Sequence, residues 1–140
     1  MTPNQNVPGA TAYMDEIRSI LDQIVATQTA AIDAAASAVV ETLAQDGLIY
    51  LFGTGHSHMV AEEIFYRAGH LARAVPILEE TLMMHLNATE ATYLEREQGR
   101  AKTILDQYPV AAGDLLVVAS NGGRNAVPIE MVLEAKSRGL

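Results

Sequence analysis

The stretch LIYLFGTGHSHMVAEE, residues 48–63, decides the fold: an apolar run stops there at two closely spaced glycines and the chain then resumes with helical spacing. Five apolar residues, 48–52, are too few for a buried helix. The run reads as a buried strand followed by a tight turn and a helix start. A turn of this kind can cradle a small anion, because glycines bring backbone N–H groups close and the following helix favours negative charge at its N-terminus. Gly53 and Gly55 are expected to permit the turn, and Thr54 and Ser57 to donate hydroxyl hydrogen bonds. The plainer reading, in which the glycines only make a turn, has comparable weight for one loop alone.

Working outward, residues 1–9, MTPNQNVPG, hold two prolines and no apolar periodicity, so a flexible tail is expected over 1–10 and one domain over 11–140. Ile17, Leu21, Ile24, Ala31, Ala35, Val39 and Leu43 recur at three- and four-residue steps or their sum. They mark one stripe of a long helix over 11–46 that Asp46-Gly47 ends. That length exceeds what covering one small sheet requires, and the alanine-rich turns TAAIDAAASAVV allow close helix approach. Packing on a second subunit and simple coverage of the sheet both remain open.

Toward the C-terminus, Gly69 breaks the second helix and ARAVPIL supplies a second strand, with Pro76 pointing to an edge or strand end. Asn87 and Glu90 have capping-box spacing for a helix through ATYLEREQGRAKTILDQY, which Gly99 can divide in two. LLVVAS is a third strand. It runs into a second polar loop, Ser120, Asn121, Gly122, Gly123, Arg124 and Asn125, before a last helix with Asn125 as N-cap and Pro128 in its first turn. Three strand-helix units predict an α/β fold with a parallel sheet and right-handed crossovers. Both polar loops then lie at carboxyl ends of strands, where open α/β sheets bind ligands.

Bulk properties bound the function. The 140 residues, 49% hydrophobic and 19% charged, suit one compact domain. Nine basic against 17 acidic residues give a net charge of -8, a field that repels nucleic acid and anionic lipid, so no nucleic-acid or membrane partner is expected and any anion must be caught locally. The absence of cysteine excludes disulfides, thiolate metal sites and a cysteine nucleophile. With no basic-plus-apolar leader and no apolar run near the ~20 residues that cross a bilayer, a soluble cytoplasmic protein is expected.

Narrower alternatives fail on their residues. GTGHSH begins like a dinucleotide fingerprint, but His58 replaces its third glycine. Neither glycine loop continues into the Walker Gly-Lys-Ser/Thr. His56 and His58, with Glu62, Glu63 or His85, make a weak metal set, since zinc recruits three or four ligands in fixed geometry. Neither a metal nor a cofactor is expected; an imidazole serving as hydrogen-bond partner or proton carrier is. Glu62, Glu63, Glu95 and His58 are the candidate catalytic groups. Pairing of the carboxylates with Arg67, Arg96 or Arg100 on a solvated helix face is the plainer account of each.

Three stretches together, YLFGTGHSHMVAEEIFYRAG, TYLEREQGRAKTILDQY and LLVVASNGGRNAVPIEMVLEAKSRG, resemble the SIS (sugar isomerase) domain family, closest to the uncharacterised bacterial SIS-domain phosphosugar-binding proteins. The resemblance covers nearly all of residues 11–140. It implies a flavodoxin-like three-layer α/β/α sandwich that binds sugar phosphates, a homodimer or higher homo-oligomer, and a long first helix that takes part in subunit packing. Carried over residue by residue, it implies phosphate contacts at Ser57, Ser120, Asn121, Gly123 and Asn125. Two departures stand out. Gly122 occupies the place of a serine in the family's second loop, S-N-S-G-R-N in the close branch, and the sequence stops at Leu140 where the family's domain continues, so the C-terminal part of the domain is expected to be missing. The function expected is that of a phosphosugar-binding protein, either an aldose-ketose isomerase or a related lyase on a sugar phosphate or amino-sugar phosphate. The alternative is a non-catalytic sugar-phosphate sensor or an oligomerisation module.

Overall fold

The structure, a computed structural model, describes residues 9–140; of the expected N-terminal tail, residues 1–8 lie outside the described part, and Ala10 already belongs to the first helix. Two compact units divide the chain, residues up to Ala38 and Val39–Leu140. The first consists of most of α1 (Ala10–Ala44), an uninterrupted helix of 35 residues. Along it Tyr13, Leu21, Val25 and Ile32 are each more than half exposed.

The second unit holds the sheet and everything after it. The end of α1 closes with the N–H of Gly47 on the carbonyl of Thr42 at 2.9 Å and that of Asp46 on Leu43 at 3.2 Å. This is a Schellman stop, with Asp46 rather than a glycine in the left-handed position at φ 59°. Gly47 is required for a different reason, since a Cβ there would lie 2.7 Å from the Thr42 methyl carbon.

Strands β1 (Ile49–Gly53), β2 (Ala74–Ile77) and β3 (Leu115–Ala119) form a parallel sheet in the order β2-β1-β3. Pro76 sits in the edge strand β2, opposite Leu51, where a missing N–H is tolerated. β1 is buried along its whole length because both of its faces are covered, as parallel sheets require. Ile49 and Leu51 point to a face covered by α2 (His58–Phe65) through Ala61 and by the last turns of α1 through Val39 and Leu43. Tyr50 and Phe52 point the other way, into a larger core with Ala101, Ile104 and Leu105 of α4 (Arg100–Leu105) and Val127, Met131 and Ala135 of α5 (Ala126–Ser137). The result is the three-layer α/β/α sandwich expected from sequence. The Tyr50 hydroxyl is buried there without a hydrogen-bond partner, and burial, followed by the charge of Asp114, raises its pKa.

Two local features set the geometry around the sheet. Asp114 accepts the N–H of Leu48 at 2.8 Å and that of Ala111 at 2.8 Å, tying the start of β1 to the start of β3. Helix α3 (Met84–Leu94) is broken at Asn87, whose φ of -157° and ψ of 99° are not helical. The Asn87 Oδ1 caps the N–H of Glu90 at 3.1 Å, the spacing read from sequence, and Gly99 at φ 81° separates α3 from α4. Among the described residues no helix is long and apolar enough to cross a membrane.

Candidate functional site

The register of the sheet places Gly53, the last residue of β1, opposite Ala119, the last residue of β3. The two polar loops therefore leave the sheet side by side. The helices that follow them, α2 after β1 and α5 after β3, pack on opposite faces of the sheet, which makes this the switch point at which doubly wound sheets hold ligands.

In the first loop the chain doubles back so tightly that a Cβ on Gly53 would run into the carbonyl of Ser57 and lie 2.8 Å from the amide nitrogen of His58. Thr54 remains extended, a single 3-10 turn covers Gly55–Ser57, and the N–H of Ser57 bonds to the Thr54 carbonyl at 2.9 Å. Ser57 occupies the N-cap position of α2 with helical backbone angles, and its hydroxyl makes no capping bond. That hydroxyl is free for a ligand. The Thr54 hydroxyl, expected to serve a ligand, is instead spent on a carboxylate oxygen of Glu95 at the end of α3.

The second loop is shaped by Gly123, left-handed at φ 58°, whose N–H bonds to the Ser120 hydroxyl oxygen at 3.1 Å. Among the described residues the N–H groups of Gly122 and Arg124 make no intramolecular bond. Asn125 has the extended backbone of an N-cap for α5, as read from sequence, but its side chain makes no capping bond. The first turn of α5 is held differently, by the N–H of Val127 on the carbonyl of Glu95 at 3.0 Å. Glu95 thus touches the first loop with its side chain and the start of α5 with its backbone.

These pieces enclose one cavity of about 580 Å³, within the range of small-molecule sites. Thr54, Gly55, His56 and Ser57 line it from the first loop, Ser120, Asn121, Gly122, Arg124 and Asn125 from the second, and Glu95 and Arg96 from the end of α3. Gly53 and Gly123 shape the loops without lining the cavity. Of the four catalytic candidates only Glu95 faces it. His58 is buried, its Nδ1–H donates to the Gly55 carbonyl, and its Nε2 lies 3.6 Å from Glu62. That makes it a strut beneath the loop. Glu62 and Glu63 stand on α2 outside the lining, and Glu63 pairs with Arg67.

His56, one of the two imidazoles that the sequence offers as hydrogen-bond partner or proton carrier, belongs to the lining, and so does Arg96, which the sequence does not mark as a ligand group. Arg96 had been read as an ion-pair partner for neighbouring carboxylates. The signal available was its place immediately after Glu95, where α3 has ended and a side chain can turn toward the sheet. His56 lines the cavity and His58 does not, and among the described residues no group of three or more His, Asp and Glu could hold a metal ion.

Comparison with known proteins follows the same lines. The family model of the SIS domain matches residues 12–140. A UPF0309 protein of Thermoanaerobacter pseudethanolicus is 43% identical over 130 residues, which is 91% of this chain and 53% of that protein. One from Listeria innocua is 41% identical over 127 residues, 91% of this chain and 51% of the relative. The chain therefore spans about half the length of these curated relatives. Among solved structures, phosphoheptose isomerase from Neisseria gonorrhoeae superposes with a TM-score of 0.69 over 92% of this chain and 68% of that one, at 24% identity, a likeness of fold.

The tight return at Gly53 is testable on its own. Gly53→Ala should lower stability by about 1–3 kcal/mol through overpacking against Ser57 and His58. Urea denaturation with an unchanged midpoint would show that the loop relaxes and that the close approach does not shape the site.

Proposed function

The chain belongs to the SIS domain family, and on that premise we propose that the cavity between the β1 and β3 loops binds a sugar phosphate. The observation that carries this reading is the convergence of two glycine-containing loops, with the uncommitted groups of Ser57, Asn121, Asn125 and the Gly122 and Arg124 amides, on one cavity at the sheet's switch point. Hydroxyls, amides and helix N-termini can hold a phosphate without a large net positive charge, which suits an acidic chain.

In the catalytic form of this proposal the chain is an aldose-ketose isomerase, or a related lyase, for a sugar phosphate or amino-sugar phosphate. Such a reaction requires a base that takes a proton from the carbon next to a carbonyl, and Glu95 is the carboxylate of the lining. Thr54 holds one of its oxygens, which orients the other. The second reading, a non-catalytic sensor, is favoured by the same residue. Thr54, Glu95 and Val127 link the first loop to the start of α5, so a ligand drawing the loops together acts on both layers of the sandwich. A cytoplasmic setting, where sugar phosphates are made and consumed, fits either form. The exposed apolar side chains of α1, Tyr13, Leu21, Val25 and Ile32, suit burial against a second copy of the chain, which makes a homodimer or higher homo-oligomer part of the proposal.

A thermal-shift screen over hexose, amino-sugar and heptose phosphates should find a ligand that raises the melting temperature by mass action. For that ligand Ser57→Ala should weaken binding about tenfold or more, the value of a hydrogen bond to a charged acceptor. Glu95→Gln should keep binding and lose about 100-fold or more in turnover if the protein is an isomerase. Unchanged affinity in Ser57→Ala would remove Ser57 from the phosphate site, and a ligand bound without any product formed would favour the sensor. For assembly, Leu21→Glu with Val25→Glu should reduce the mass seen by sedimentation. A wild type that is already monomeric would contradict the oligomer.

A further inference from the structure

We infer that Arg96 and Arg124 make the cavity a reader of ligand charge, selecting a phosphate ester that carries two negative charges over an ester that carries one; the inference rests on the phosphosugar reading above. The chain has seven arginines. The five outside the cavity each sit in an ion pair: Arg18 with Asp15, Arg67 with Glu63, Arg73 with Asp46, Arg100 with Glu97, and Arg138 with Asp106 and Glu134. Arg96 and Arg124, the two that line the cavity, have no such partner among the described residues, although the chain carries 17 acidic residues. Guanidinium groups left free in an acidic protein, both at the same place, are available to an external anion.

Glu95 decides why there are two. Its carboxylate shares the cavity and is held by a neutral hydroxyl rather than by a cation. With no arginine, its charge would repel a dianion more than a monoanion. One guanidinium cancels that field, and a second reverses it, so the sign of the preference follows the number of arginines. The guanidinium fork also fits the extra ionised oxygen of a phosphate. The Arg124 side chain passes beside Gly122, its Nε and Cγ 3.7 Å and 3.8 Å from where a Cβ on that glycine would stand, an ordinary contact distance. His56 is the other titratable group facing the cavity, and any positive charge on it favours a dianion over a monoanion just as the arginines do.

Methyl phosphate and methyl sulfate test this directly, since they differ in charge above the second phosphate ionisation at about pH 6 and carry no sugar. Titrations at about pH 8 should give the phosphate ester roughly tenfold or more tighter binding than the sulfate ester, the ratio falling toward one at about pH 5. At the higher pH, Arg96→Gln and Arg124→Gln should each bring the ratio near one, the double variant should favour the sulfate, and Arg124→Lys, which keeps the charge and loses the fork, should still prefer the phosphate. Both arginines are exposed, so the substitutions leave the core intact. Methyl phosphate bound with no preference over methyl sulfate, or with a preference that survives both glutamine substitutions, overturns the charge reading and leaves the phosphosugar site standing. No binding of methyl phosphate at all overturns both.

Discussion

The pairing of β1 between β2 and β3 is the constraint on which the rest depends. Because the register sets Gly53 beside Ala119, two loops far apart in sequence leave the sheet as neighbours and line one cavity. The pairing is enforced from both faces, by Tyr50 and Phe52 toward α4 and α5 and by Ile49 and Leu51 toward α2. Asp114 fixes its beginning through the Leu48 N–H. A shift of one residue would exchange those two faces and move one loop away from the other.

Much of this was legible in the amino-acid sequence, for identifiable reasons. Short apolar runs bounded by glycine, proline and asparagine located all three strands, and Pro76 marked the edge strand correctly. The Asn87 and Glu90 spacing marked a true helix start, and Gly99 a true division. These signals are local, carried within a few residues by backbone conformation and capping. What the sequence concealed depends on partners distant along the chain. The Thr54 hydroxyl looked free until Glu95, 41 residues away, arrived beside it. His58 looked like a ligand group until the tight turn at Gly53 brought the Gly55 carbonyl to its ring. Separating Glu95 from Glu62 and Glu63 required knowing which helix end reaches the cavity, which periodicity does not report.

In the proposed site an acidic protein would hold an anion by local arrangement rather than by net charge. Net charge governs the field far from the molecule, whereas a ligand between two loops meets only what lines them. Among the described residues, the lining combines Ser57, Asn121 and Asn125, backbone amides and two guanidinium groups without an ion-pair partner against one carboxylate, that of Glu95. Glu95 therefore has two parts to play in the proposed site, as candidate base and as the charge that sets how many arginines a phosphate requires.

The central claim is that both loops hold the same ligand. Backbone amide NMR of the protein titrated with its best stabilising sugar phosphate measures this most directly, because each loop reports through its own N–H groups. The account predicts that Gly55 and His56 of the first loop and Gly122 and Arg124 of the second shift together along one saturation curve. Shifts confined to one loop, or centred on residues outside the cavity, would contradict it.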